Sequence, residues 1–125
     1  MATQLAPNVY VSDIERSSRF YMSLGFAELD RMTLPDGTPV WAMLQREGQR
    51  FFIERAEPGK KLRASVLFYL AVDDLGKEVK RLDSARIEHT APEQKAYGMK
   101  EITFRDPDGY EWSAGQRTQP YWSRE

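Results

Sequence analysis

Val11-Ser12-Asp13-Ile14 returns as Val72-Asp73-Asp74-Leu75, 61 residues further along the chain, and this pair of junctions decides the reading of the fold. Each closes an alternating apolar stretch and opens a helical one. Before the first, residues 4–11 alternate. Leu5, Pro7, Val9 and Val11 point one way and Gln4, Ala6, Asn8 and Tyr10 the other, the pattern of a half-buried strand. Pro7 offers no N–H to a ladder and suits a strand end or an edge. After the junction, Asp13 is placed to cap a helix over 13–24. Ile14, Phe20, Tyr21 and Leu24 fall on its apolar side, and Gly25 stops it.

The second junction repeats the arrangement. Residues 65–72 form a strand with Val66, Phe68, Leu70 and Val72 on one face and Ser65 and Tyr69 on the other. Asp74 caps a helix carrying Leu75, Val79 and Leu82 on one side. Three strands follow each helix. In the first half they are expected at 26–34, 40–44 and 51–54, parted by the turns Pro35-Asp36-Gly37 and Glu47-Gly48. In the second half a short strand begins at Ile87, 93–98 is a loop, and strands 99–105 and 110–115 flank the hairpin turn Asp106-Pro107-Asp108-Gly109. Glu47-Gly48 and Asp108-Gly109 stand at the same offset of 61. A repeat of this kind is a stronger topological signal than either half alone.

The expected fold is therefore α+β. Two paired βαβββ modules, about 4–56 and 63–116, make one domain over 1–125, with a polar linker at 57–61 and a tail at 117–125. They form a curved mixed sheet around a cleft, with the helices on the outer face.

Composition narrows the function. The 125 residues are 41% hydrophobic and 30% charged with net charge −1, so no basic patch for nucleic acid or an anionic membrane is expected. There is no cysteine, which excludes disulfides, thiolate catalysis and cysteine zinc sites. The single histidine, His89, excludes multi-histidine metal sites within one chain. His89 follows a short strand, where a surface or hydrogen-bonded role outweighs a catalytic one. Residues 1–11 do not read as a signal peptide and no apolar run reaches membrane length, so a cytoplasmic location is expected.

Two longer motifs bracket the chain: Val11-Ser12-Asp13-Ile14-Glu15-Arg16-Ser17 with Phe20-Tyr21 and Leu24-Gly25-Phe26, and Tyr97-Gly98 with Phe104-Arg105-Asp106-Pro107-Asp108-Gly109-Tyr110-Glu111-Trp112. Together they resemble the opening and the final hairpin of vicinal-oxygen-chelate domains, the glyoxalase/bleomycin resistance/dioxygenase superfamily. The resemblance is to the bleomycin-resistance-like and uncharacterised glyoxalase-like branch. It implies a U-shaped cleft and a homodimer. The motif residues have structural jobs, and fold does not fix chemistry.

The resemblance also implies where metal ligands would stand. The first-strand positions hold Ala6 and Leu67, and the last-strand position holds Ser113, none of them a metal ligand of the expected kind. Glu54 alone falls near an expected ligand position, and Glu111 shares the face of Ser113. A catalytic metal needs about three protein ligands. No metal and no cofactor are therefore expected.

The remaining signal is aromatic. Trp41 and Met43 share a strand face, and Phe52, Tyr69 and Trp112 lie on strands expected near the cleft. With Asn8, Tyr10, Glu54 and Glu111 they form the expected ligand-binding set, suited to a flat organic ligand with a cationic group. The same aromatics also read as core between sheet and helix. The leading reading is a metal-free protein that sequesters an aromatic or cationic small molecule. One alternative is a glyoxalase-like lyase, isomerase or dioxygenase using an atypical carboxylate site, with Glu54 as its candidate catalytic residue. The other is an accessory domain whose cleft is vestigial. The tail Gln119-Pro120-Tyr121-Trp122 is too hydrophobic to be wholly solvated.

Overall fold

The computed structural model describes residues 5–59 and 66–119. Gln4, Lys60, Lys61, Ser65, Pro120, Tyr121 and Trp122, and the expectations attached to them, lie outside the described residues. The chain divides into two compact units at 63/64. The first contains β1 (Asn8–Val11), α1 (Ile14–Ser23), β2 (Ala27–Thr33), β3 (Pro39–Arg46) and β4 (Gln49–Arg55). The second contains β5 (Leu67–Ala71), α2 (Leu75–Ser84), β6 (Glu93–Gln94), β7 (Met99–Arg105) and β8 (Glu111–Arg117).

Each unit is an open four-stranded mixed sheet with one helix. The strand orders are β1-β4-β3-β2 and β5-β8-β7-β6. In each, the first strand runs parallel to the last and the other pairs are antiparallel. The repeat holds at the level of register. Asn8 pairs with Phe52 and Tyr10 with Glu54; 61 residues on, Tyr69 pairs with Ser113 and Ala71 with Gly115. The caps repeat as well: Asp13 Oδ1 accepts from the Arg16 N–H at 3.1 Å and Asp74 Oδ1 from the Lys77 N–H at 3.2 Å. Each carboxylate satisfies one of the amides that the first helical turn leaves without a partner.

Alternation assigns the two faces of each sheet. In the first unit Val9, Val11, Ala42, Leu44, Phe51 and Ile53 are buried under α1 with Ile14, Tyr21 and Leu24. Tyr21, Phe26 and Phe51 pack edge to face, with ring centroids 4.9–6.0 Å apart. Such pairs add about 0.5–1.5 kcal/mol each beyond burial. Ser17 and Ser18 are also buried on the helix, and the Ser18 hydroxyl donates to Glu28 Oε1 at 2.6 Å. In the second unit Leu75 and Leu82 of α2 are buried, as are Ile102, Phe104, Trp112 and Ala114 on alternating positions of the sheet. Gln116, on the same face, caps α2 by accepting from the Leu75 N–H at 2.8 Å.

Several expectations need correction. Leu5 is 98% exposed and precedes β1, and Val66 is exposed and precedes β5, so neither strand extends its apolar face that far. No strand starts at Ile87. The chain there makes only a single bridge, His89 to Phe104, and the short edge strand is β6, inside the stretch expected to be a loop. The two hairpins at the same offset also differ. Glu47 and Gly48 both take positive φ (49° and 81°), a two-residue turn matched to the twist of its strands. Residues 106–110 form a longer loop organised by Asp106, whose Oδ1 accepts from the N–H groups of Asp108 and Tyr110 at 2.9 and 2.8 Å. Only Gly109 there has positive φ.

Candidate functional site

The side of each sheet turned away from its own helix carries the candidate ligand-binding residues. In the first unit the registers place Asn8 and Tyr10 of β1, Trp41 and Met43 of β3, and Phe52 and Glu54 of β4 on that open face. Five residues singled out in the sequence (Asn8, Tyr10, Trp41, Phe52 and Glu54) are thus brought together. Tyr10 is 44% exposed, and Trp41, Phe52 and Glu54 are half-buried. Trp41 and Phe52 lie with ring centroids 5.3 Å apart, tilted by 46°. The Asn8 amide donates to Glu54 Oε1 at 2.9 Å across the parallel pair. Pairing to Tyr10 and Trp41 puts Glu54 on this face, opposite the buried Phe51 and Ile53.

The second unit splits the remaining candidates. Tyr69 is 45% exposed on the open face, and Glu111 lies at the end of that face, where Arg105 Nη2 pairs with its Oε1 at 3.0 Å. Trp112 is not there. It is buried on the helix-covered face, stacked on Phe68 with a centroid distance of 4.6 Å and flanked by Phe104 at 6.2 Å. The parallel pairing of Phe68 with Trp112 makes it a core residue.

One residue of this face escaped the sequence reading. Glu101 of β7 is only 7% exposed, yet it shares the open side with Tyr69. Its Oε2 accepts two phenol protons, from Tyr69 and from Tyr97, each at 2.7 Å. Tyr69, whose own partner on β8 is Ser113, reaches it because Gly115, the β8 partner of Glu101, carries no side chain in the way. A Cβ on Gly115 would stand 2.0 Å from the Tyr69 Oη. Burial of the phenol, then its bond to Glu101, push the Tyr69 pKa well above the ordinary tyrosine range, so Tyr69 stays a proton donor at neutral pH. The bond to Glu101 also raises the pKa of Tyr97. Thr103 and Ser113 add a hydroxyl pair 3.4 Å apart beside them.

His89 stands apart from both sets. Its Nδ1 lies 2.7 Å from the Thr90 carbonyl and its Nε2 2.8 Å from Asp83 Oδ1, which gives it a hydrogen-bonded structural role. Leu67 and Ser113 lie on the open side of the second sheet, and neither side chain is a usual metal donor there. Among the described residues no three His, Cys, Asp or Glu side chains come together in a way that could hold a metal ion. This donor set does not fit a family metal centre.

The comparisons agree with this architecture. The family model described as Glyoxalase/Bleomycin resistance protein/Dioxygenase superfamily matches residues 3–114. A bleomycin-binding protein solved with bleomycin is 24% identical, with 93% of this chain and 99% of that one covered and a TM-score of 0.74. A bleomycin resistance determinant encoded on transposon Tn5 is 24% identical over 94% of this chain and 100% of that one, TM-score 0.76. TnmS3, an antibiotic binding protein from Streptomyces sp. CB03234, is 21% identical over 94% and 98%, TM-score 0.69. A search of curated protein sequences found no match. At these identities the solved structures bear on fold, and the family model, spanning most of the chain, settles membership: the chain belongs to the glyoxalase/bleomycin resistance protein/dioxygenase superfamily.

Proposed function

We propose that this protein binds and sequesters a small aromatic or cationic organic molecule without chemically altering it and without a metal. The observation that carries this reading is the open face of the first sheet. There Trp41 and Phe52 lie half-buried side by side, with Tyr10 and Met43 around them and the Glu54 carboxylate at their edge. Half-buried aromatic rings supply stacking area at low entropic cost, and one carboxylate orients a cationic substituent. Drug-binding relatives with the same fold support the reading, as does the failure of the donor set to fit a metal. A homodimer in a reducing, cytoplasmic setting belongs to the same proposal; the absence of cysteine suits such a setting.

The test is titration with bleomycin and a panel of planar aromatic cations, followed by tryptophan fluorescence. Saturable binding is expected, with recovery of the unchanged compound after release. Trp41→Ala should weaken it by about 2 kcal/mol, the cost of losing a central aromatic contact. Conversion of a bound compound, or no saturable binding across the panel, would overturn the proposal.

A further inference from the structure

The second sheet holds a polar site that the aromatic face of the first does not explain. Its centre is Glu101, a carboxylate only 7% exposed whose two phenol donors both point at the same oxygen, Oε2. No donor among the described residues reaches Oε1, and that oxygen is not sealed from solvent. Nor does any cation of the described residues close an ion pair with Glu101, although the fields of two reach the cluster: Lys95, which is held by Glu93 at 2.8 Å, and Arg117 on the same side of β8 as Gly115. A carboxylate in this state has one oxygen fixed and the other presented as an acceptor.

The repeat makes the arrangement more telling. Tyr69 occupies the register position that Asn8 holds in the first unit, and Gly115 the position of Glu54. In each unit the first strand donates one hydrogen bond to one carboxylate on the open face, Asn8 to Glu54 and Tyr69 to Glu101. In the second unit the carboxylate has moved from the last strand to β7, and glycine on β8 opens the slot through which the phenol reaches it. The rings of Tyr69 and Tyr97 remain substantially exposed beside it. An exposed ring face and a half-occupied carboxylate both attract a cation with N–H donors.

We infer that Glu101, held by Tyr69 and Tyr97, is a subsite for a protonated amine or guanidinium group on an organic ligand. This rests on the binding reading above and deepens it, because it commits the ligand to a positive charge. Tyr69 and Tyr97 act here as positioning residues that fix the carboxylate and line the subsite.

The experiment uses matched probes: 2-phenylethylammonium and its neutral analogue 2-phenylethanol, titrated into isotope-labelled full-length protein and followed by amide chemical shifts. The ammonium should bind about tenfold tighter than the alcohol and perturb the amides of Glu101 and Gly115; a lost charge-assisted hydrogen bond has that size. Glu101→Gln, which keeps an acceptor for both phenols, should abolish the preference. Tyr97→Phe should reduce it and serves as the second variant if Glu101→Gln melts early. Equal binding of the two probes, or a preference that survives Glu101→Gln, overturns the subsite while leaving aromatic binding at Trp41 intact. Perturbation confined to amides around Glu54 does the same. Absence of binding by either probe overturns the subsite and counts against the binding reading as well.

Discussion

His89 shows how much one side chain's partners decide. The Thr90 carbonyl can only accept, and so can the Asp83 carboxylate, yet the two ring nitrogens face one each at 2.7 and 2.8 Å. A neutral imidazole donates from one nitrogen alone, so both bonds require the imidazolium. The Thr90 carbonyl first, and then Asp83, hold the pKa of His89 above its ordinary 6.5, against the opposing pull of burial. A pKa raised on folding contributes stability that is fully present below the unfolded value and is lost as pH rises through the folded one. The native state should therefore weaken as pH rises above the ordinary 6.5 of His89, by no more than about 1 kcal/mol, because Asp83 is exposed and the pair is partly screened. Denaturant midpoints measured from pH 5.5 to 8.5 should show this slope, and His89→Gln should remove it. A slope unchanged in that variant would assign the pH dependence elsewhere. The sequence pointed to a surface or hydrogen-bonded role for His89 but not to its partners, because Asp83 sits six residues back on α2 and only the fold of the intervening turn brings it to the ring. Trp112 was legible in part, because alternation sets it opposite Glu111 and Ser113, whereas Glu101 was not. The partners of Glu101 come from β5 and from the loop before β7, and the order β5-β8-β7 that brings them together leaves no local mark in the chain.

Elements whose signals are local were read well. Asp13 and Asp74 announce the two helices through side chains that act within three residues, and both cap as expected. Glu47-Gly48 announces a tight hairpin through backbone angles that few residue pairs tolerate. The segment after α2 was misread because its apolar residue, Ile87, is not part of a ladder. Its N–H bonds back to the Leu82 carbonyl at 2.8 Å and terminates the helix. The edge strand that does form, β6, is two exposed polar residues, Glu93 and Gln94, with no alternation to betray it. The caps give an element-scale prediction. Asp13→Ala or Asp74→Ala should each cost about 0.5–2 kcal/mol, whereas Asp→Asn at either position should cost a few tenths. Urea midpoints of the four variants would decide it. Equal losses for Ala and Asn would mean that charge at the helix terminus, and not the bond to Arg16 or Lys77, carries the effect.

For the whole molecule the question is what the superfamily's shared frame has kept and what it has lost. The frame is intact. Two units repeat their order, their caps and their β1–β4 and β5–β8 registers, and none of the described helices is long and apolar enough to cross a membrane. What differs is the chemistry of the open faces. Where the resemblance places metal ligands, this chain has Ala6, Leu67 and Ser113. Glu54, the one carboxylate near such a position, has an oxygen engaged by Asn8, and Glu111 is engaged by Arg105. Two engaged carboxylates fall short of the three or so protein ligands that a transition-metal centre uses. Exposure to nickel, zinc, manganese or iron(II), followed by buffer exchange, should therefore leave well under one ion per chain by plasma mass spectrometry. Ligand titrations should be unchanged by a chelator, since a ligand that needs no metal stabilises the fold by mass action alone. Near-stoichiometric metal that Glu54→Gln removes would instead identify Glu54 as a true ligand and turn the reading from sequestration to a carboxylate-supported lyase or dioxygenase site.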